Sequence, residues 1–379
     1  MGGIVDKLVK HFDSEDVIKF RDKDGFKEVK SWAHTGSPLL DYNLRTFGFP
    51  TGIIELAGKS QSGKTTMGLM GMKYFMEENP ENGIAVILSS ENRDNKDYAL
   101  QLGMDVDNII VVKIRYVEAM FMQVKKLVED AVKLFKEEKI KGGPKFYFMW
   151  DSLGATLSKS EFETMEENAK RVDKAYDKGD SVEDVDFKNE KMMSFAKEAK
   201  RFAKYMMSVM YTNIMHFVML NHQYDHQAPG QFIATRKSTG GEWVELLPTI
   251  RLSLSKVKTE KIDDVEVAQI TRCKVVKNDY GNRKSTDIRI LMGWGIILSD
   301  EEIEYAVEKK IVKKESAKVY SYAGGKLKWN SPRQFFDLYT EGNKYLAMMT
   351  KQIRKAYQKD LLELKAKIAE GYEDDTEDD

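Results

Sequence analysis

The chain has 379 residues, 42% of them hydrophobic and 32% charged, with a formal net charge of −1. That composition suits one large α/β domain with smaller appendages and excludes an intrinsically disordered chain. No run approaches the roughly 18 apolar residues of a membrane span, the N-terminus lacks a basic region followed by an apolar stretch and cleavage site, and the single cysteine, Cys273, excludes an internal disulfide.

A soluble cytoplasmic protein without membrane contact is therefore expected. Net charge is silent about nucleic acid, but its distribution is not: the last seven residues, EDDTEDD, are nearly all acidic and read as a solvated tail. The remaining body is moderately basic.

Residues 1–34 form a leading segment, with apolar positions at Val5, Leu8, Val9, Phe12, Val17, Ile18 and Phe20. The next stretch, IIELAGKSQSGKTTMGLM over 53–70, reads as an apolar strand, a glycine-containing loop and a helix start in immediate succession. Gly58-Lys59-Ser60-Gln61-Ser62-Gly63-Lys64-Thr65 fits the phosphate-loop pattern G-x-x-x-x-G-K-[ST]. In that pattern backbone N–H groups wrap the phosphates, the lysine reaches the β and γ oxygens, and the hydroxyl binds Mg²⁺. Met67, Met70, Tyr74 and Phe75 recur at helical spacing, so the helix N-terminus and its partial positive charge face the anion.

Strand candidates run over 53–57, 84–89, 109–112, 146–150, 216–220, 250–254, 269–277 and 287–292. Helical patterns separate most of the first five, which predicts βαβ units and a mostly parallel twisted sheet flanked by helices. Glu91 stands just past the strand of 84–89, at the carboxyl edge where open α/β sheets bind ligands. A carboxylate there either orients water for attack on a γ-phosphate or is a helix-capping or solvated group. KFYFMWDS ends an apolar run in Asp151, the strand-end carboxylate that completes a Mg²⁺ site with Thr65. Residues 158–191 are dense in charge and read as an exposed, mobile insertion.

After the strand of 216–220, His222, Asp225 and His226 admit a metal-site reading, since imidazoles four apart share a helix face. Pro229 and Gly230 follow directly and speak against a helix. From His226 to Gly241 the loop HQAPGQFIATRKSTGG holds no acid, the cations Arg236 and Lys237, and the aromatic Phe232. Cations displace condensed counterions, the N–H groups of the Ser238-Thr239-Gly240-Gly241 turn suit phosphate oxygens, and an apolar side chain wedges between bases. A plain polar connection is the rival reading.

KVKTEKIDDVE joins 250–254 to 269–277 and predicts an antiparallel hairpin; Cys273, in RCKVVK, reads as a small buried strand residue. From about 300 the pattern turns helical, with a turn at Gly324-Gly325, giving a small C-terminal domain over 301–370 before the acidic tail of 371–379.

Taken in order, HTGSPLLDYNL, GKSQSGKTT, SSENRDNKDYALQLGMDVDNI, MWDSLGATLSKSE, LNHQYDHQ, STGGEWVELLPTIRLSL, RCKVVKNDYG and VYSYAGGKL resemble a RecA-type DNA strand-exchange recombinase over roughly residues 5–330. Bacteriophage recombinases of the UvsX kind are the nearest in flavour, on the strength of LNH, where bacterial RecA proteins end in glutamine.

The resemblance implies a RecA-like P-loop ATPase core over 35–300, with DNA-binding loops near 158–191 and 223–241. The leading segment would then pack on an adjacent protomer. ATP and Mg²⁺ would be the ligands, with Gly58, Ser60, Gln61, Ser62, Gly63, Lys64, Thr65 and Thr66 around the nucleotide. Glu91 would be the catalytic glutamate, Asn95 and Tyr98 the adenine contacts, and His222 the γ-phosphate sensor.

Lys277 would reach a neighbour's ATP, as one of two lysines separated by one residue. Asp279 takes the second place here, with Arg283 or Lys284 as substitutes. The expected activity is DNA-dependent ATP hydrolysis by a helical filament on single-stranded DNA, pairing it with duplex DNA and assisted by single-strand-binding and mediator proteins. In a phage-encoded case the location would be the host cytoplasm. A hexameric replicative helicase with the same core, or a non-catalytic polymer that uses ATP only to assemble, are the alternatives.

Overall fold

The computed structural model describes residues 31–91, 96–178, 194–212, 214–226 and 235–374, together with 181, 183, 185, 187 and 188. In chain order the elements are β1 (Trp32–Ala33), α1 (Pro38–Asn43), β2 (Phe49–Pro50), β3 (Gly52–Gly58), α2 (Lys64–Glu78), β4 (Gly83–Ser89), α3 (Lys96–Gln101), β5 (Ile109–Lys113), α4 (Val117–Glu137) and β6 (Lys145–Asp151). They continue through α5 (Lys159–Lys178), α6 (Ser194–Thr212), β7 (Ile214–His226), β8 (Thr235–Ser238), α7 (Trp243–Leu246), β9 (Ile250–Ile262), β10 (Val265–Asn278), β11 (Thr286–Leu291) and β12 (Gly295–Ile297). The C-terminal part holds α8 (Asp300–Glu308), β13 (Lys313–Lys314), β14 (Tyr320–Tyr322), β15 (Leu327–Trp329), α9 (Pro332–Thr340) and α10 (Lys344–Asp374).

The main sheet runs β12-β11-β10-β9-β3-β7-β6-β4-β5, with β8 attached to β7. From β9 through β5 the neighbours are parallel, while β10, β11 and β12 extend the sheet as an antiparallel meander. The central strands β3, β4, β6 and β7 are covered on both faces, so they are mostly apolar rather than alternating, while the edge strand β5 is largely exposed. In β6, Phe146, Phe148 and Trp150 enter the core under α4 and α6, whereas Tyr147 and Met149 enter the core under α2. The α/β fold expected from the alternation of elements is the fold observed.

Several boundaries differ from the sequence reading. The hairpin of β9 and β10 is present, but KVKTEKI belongs to the strand and only Asp263 and Asp264, both at positive φ, make the turn. Lys256, Val257, Lys258 and Lys261 of this arm are exposed, where burial does not select apolar side chains, whereas Ile262 and Val267 pack against the C-terminal core. The charged segment after 158, expected to be exposed, is helical over its first part: 159–178 is helix α5, exposed along most of its length, with Ala175 buried and Phe162 against Tyr116. The C-terminal part contains a three-stranded sheet, β13-β14-β15, that the helical reading missed because each strand has only two or three residues. Gly324 and Gly325 do form its turn. The C-terminal elements share a core with Ala268 of β10 and Leu291 of β11.

Helix starts follow the capping residues. Ser37 and Ser331 accept from Leu40 N and Gln334 N ahead of Pro38 and Pro332, and Ser299 with Glu302 forms a capping box. Glu302 is fully buried and also accepts from Ser37 Oγ at 2.7 Å and Leu39 N at 3.0 Å, tying α8 to the start of α1.

One buried ion cluster gives this junction a pH dependence. His34 Nδ1 lies 3.0 Å from Asp41 Oδ2 and its Nε2 3.1 Å from Glu78 Oε1. Burial would depress its pKa, but the two carboxylates outweigh burial and lift it from 6.5 to about 9. A folded pKa above the unfolded one gives stability that is fully present below pH 6.5 and is lost as pH rises through about 9. With Glu78 half-exposed, about 2–3 kcal/mol is the expected size. Urea unfolding at pH 6 and pH 9.5 should show wild type losing that much more than His34→Gln; equal losses would contradict the assignment.

Candidate functional site

The site forms where β3, β4, β6 and β7 end at the carboxyl edge of the parallel sheet, the edge at which such sheets hold ligands. The phosphate loop leaves β3 at Gly58 and enters α2 at Lys64. Gly63 caps this helix with φ 90°, and a Cβ there would stand 2.4 Å from Ile290 Cδ1, so the loop closes only with glycine. No acidic residue occupies the first turn of α2, which leaves its N-terminal dipole for an anion. Ser62 Oγ is buried without a hydrogen-bond partner among the described residues, as befits a cradle built for an external acceptor.

Lys64 is 7% exposed and donates to Gly58 O at 3.0 Å and Lys59 O at 2.8 Å. Burial lowers its pKa, while the charges of Asp151 and Glu91 pull it back up. Thr65 Oγ1 is 3.4 Å from Asp151 Oδ2, the pair expected to face magnesium. Thr66 Oγ1 shares a 2.6 Å hydrogen bond with Tyr98 OH, whose pKa burial raises. A cavity of about 220 Å³ opens beside Thr65, Tyr98 and Asp151, with Lys96 at its wall and the remaining lining apolar, as at Leu69, Ile87 and Met149.

Glu91 accepts from Ser152 Oγ at 2.5 Å and lies 3.4 Å from His222 Nε2. Ser90 Oγ in turn accepts from Ser152 N and donates to Ser152 O, fixing the Asp151-Ser152 step, which is a cis peptide. His222 does not follow the strand, as the sequence suggested, but sits within β7, level with Gly58. The strand outruns its apolar segment because β8 pairs with its far end, Gln223 opposite Ser238 through His226 opposite Thr235. The loop expected over 226–241 is thus partly strand, and its closing turn lies against His222: Thr239 N donates to His222 O at 3.3 Å. Gly240 and Gly241 take φ 111° and 85°. The metal reading of His222, Asp225 and His226 assumed a helix, whereas all three lie in strand β7; the side chains of Asp225 and His226 lie outside the described residues.

Lys64, Thr65, Asp151, Glu91, His222 and the Ser238–Gly241 turn are therefore brought together. Ser60 and Gln61 lie exposed on the loop. Lys277 is not brought to the loop: it pairs with Arg251, level with Glu55 rather than with Gly58, and its Nζ donates to Leu246 O at 2.7 Å with Asp279 Oδ1 at 3.7 Å. Arg283 and Lys284 lie near that same end, in the turn after β10. Asn95 and Phe232 lie outside the described residues, and Arg236 and Lys237 are placed only by their pairing in β8.

The sequence reading missed the supports beneath the site. Gln269 Nε2 donates to Gln61 O at 3.4 Å and to Thr271 Oγ1 at 3.0 Å, bracing the loop from β10. Glu55, 1% exposed, takes Arg251 Nε at 2.6 Å and Asn221 Nδ2 at 2.8 Å. A signal existed: Glu55 in IIELAG and Arg251 in TIRLSL are opposite charges inside apolar runs, and a buried charge requires a partner.

A family model described as RecA N-terminal domain matches residues 2–134. Protein RecA of Chlorobaculum parvum (strain DSM 263 / NCIMB 8327) is 28% identical over 327 residues, spanning 85% of this chain and 82% of the relative. Over most of its length this chain is similar to RecA proteins. Other RecA relatives are similar to a comparable degree: that of Nautilia profundicola (strain ATCC BAA-1463 / DSM 18972 / AmH) is 27% identical over 323 residues, with 85% and 81% covered. That of Acinetobacter baylyi (strain ATCC 33305 / BD413 / ADP1) is 27% identical over 297 residues, with 77% and 74% covered. These matches extend well past the N-terminal model, so the RecA likeness takes in β7 to β10 as well as the phosphate loop.

Proposed function

We propose that this chain is a DNA-dependent ATPase that assembles as a helical filament on single-stranded DNA and carries out homologous pairing and strand exchange with duplex DNA. The observation that carries this reading is the meeting of Lys64, Thr65, Asp151, Glu91 and His222 at one sheet edge, with the Thr239 peptide hydrogen-bonded directly to His222 O. Nucleotide chemistry and a DNA-facing turn then share a strand.

The geometry supports the following roles. Lys64 exchanges its two loop carbonyls for phosphate oxygens, and the N–H groups of Gly58–Thr66 wrap the same anion. The Thr65 hydroxyl and the Asp151 carboxylate are hard oxygen donors whose positions suit magnesium. When bound, that ion neutralises phosphate charge. Glu91, held by Ser152, accepts a proton from the attacking water and orients it. Tyr98 presents its ring to adenine while Thr66 fixes its hydroxyl, and Asn95 is the second adenine contact that the resemblance implies.

His222 reports the γ-phosphate to Ser238–Gly241, and that turn, with Phe232, Arg236 and Lys237, holds the DNA backbone. Lys277, with Arg283 or Lys284, reaches the ATP of an adjacent protomer; its distance from its own loop suits action in trans. Residues 1–34 bind that neighbour, 301–370 form a small C-terminal domain packed on β10 and β11, and the acidic tail of 371–379 begins within α10. Single-strand-binding and mediator proteins are the expected partners in a cytoplasmic setting. Among the described residues no helix is long and apolar enough to cross a membrane. Asn221-His222 in place of an Asn-Gln pair supports kinship with phage recombinases.

The direct test is phosphate release with and without single-stranded DNA. Hydrolysis should rise severalfold on adding the strand; equal rates would contradict a DNA-dependent ATPase.

A further inference from the structure

We propose that Asn221 is the positioning residue that converts a movement of His222 into a rotation of the turn at Thr239–Gly241, pivoting on the buried Glu55–Arg251 pair; this rests on the ATPase and DNA reading above. Strand parity separates the two neighbours. Asn221 points to the same face of β7 as Met219 and Phe217, where Glu55 of β3 awaits it, while His222 points to the opposite face and meets Glu91.

The Asn221 carboxamide is fully buried, and its two N–H groups are divided. One goes to Glu55 Oε1 at 2.8 Å and the other to Thr239 O at 2.8 Å. Glu55 cannot follow a displacement, because Arg251 Nε holds its other oxygen at 2.6 Å and both residues sit in paired central strands.

The Thr239 residue is consequently gripped at both ends. Its carbonyl is fixed to the core through Asn221, whereas its N–H donates at 3.3 Å to the main-chain oxygen of His222. Drawing His222 away from Glu91 toward a phosphate loosens the second grip and leaves the first, so the backbone turns about the Asn221 contact. The residues beyond permit this. Gly240 has φ 111°, and a Cβ on it would stand 2.7 Å from Val244 Cγ2. Asn221 Oδ1 is buried and accepts from no group among the described residues. Such an orphan acceptor is costly in one arrangement and available to a donor in a second, as expected of an element with two positions.

The test measures coupling rather than activity. Affinity for a non-hydrolysable ATP analogue with magnesium is determined with and without oligo(dT), for wild type, Asn221→Ala and Asn221→Ser. Serine has one donor and serves only one of the two acceptors. Wild type should show tightening of about tenfold or more by DNA, and the variants about twofold or less, with affinity in the absence of DNA within about threefold of wild type.

His222→Ala should lose the same coupling, and the double variant with Asn221→Ala should lose no more than either alone. Undiminished coupling in either folded variant overturns the pivot and leaves the ATPase reading intact. Absence of coupling in wild type overturns both. Hydrogen exchange on the unmodified protein decides the case if neither variant folds: peptides covering 238–241 should change protection when the analogue binds, and unchanged protection overturns the pivot.

Discussion

Replacing Lys64 by alanine should abolish useful nucleotide binding, weakening affinity by a factor of roughly 10²–10⁴ while leaving the fold intact. The ammonium is buried at the mouth of α2, where it donates to Gly58 O and Lys59 O. Hydrogen bonds to a charged group are worth about 1.5–3 kcal/mol each, and removing two such bonds to phosphate at once gives that range. Burial already strains this charge, as the downward shift of its pKa shows, so an anion that replaces neutral carbonyls is favoured more than it would be at the surface. The loop itself does not depend on the side chain, because Gly63 geometry and the Gln269 brace are independent of it. Titration of a fluorescent ATP analogue, with circular dichroism as the control for folding, checks the expectation. Affinity within fivefold of wild type would remove Lys64 from the site.

Glu91→Gln should separate binding from turnover. Glutamine keeps an oxygen for Ser152 Oγ, so the local arrangement survives, but it cannot take a proton from water. Loss of a positioned general base costs about 10²–10⁴ in rate, and a fall in kcat of roughly 10²–10³ with KM changed only a few-fold is expected. Since hydrolysis is what ends the ATP-bound state, complexes with DNA should also persist longer, measured as slower dissociation from a labelled oligonucleotide in excess competitor. Normal turnover would return Glu91 to the role of a capping or solvated carboxylate.

Legibility in the sequence followed how local each determinant is. Strands buried on both faces, such as β4 and β6, write themselves as apolar runs, and all eight strand candidates correspond to strands of the main sheet. The phosphate loop, Asp151 and Glu91 were legible because their chemistry fixes residue types beside such runs. What escaped depends on contacts distant in sequence. The β9–β10 arm continues through charged residues that no burial pattern marks, and β13–β15 are too short to show a period. Helix α5 reads as a solvated stretch because it buries little beyond Ala175. Asn221, joined to Glu55 across 166 residues of chain, and Gln269, joined to Gln61 across 208, gave no local sign of their tasks. Lys277 shows the opposite case: the residue was identifiable by resemblance, yet one protomer does not place it at its own nucleotide.

ATP binding and DNA binding are expected to be two faces of one assembly. Electron microscopy of the purified protein with single-stranded DNA, magnesium and a non-hydrolysable ATP analogue tests this most directly. Continuous helical filaments that form with the analogue and vanish without it are predicted; monomers indifferent to both ligands, or closed rings in place of filaments, would contradict it.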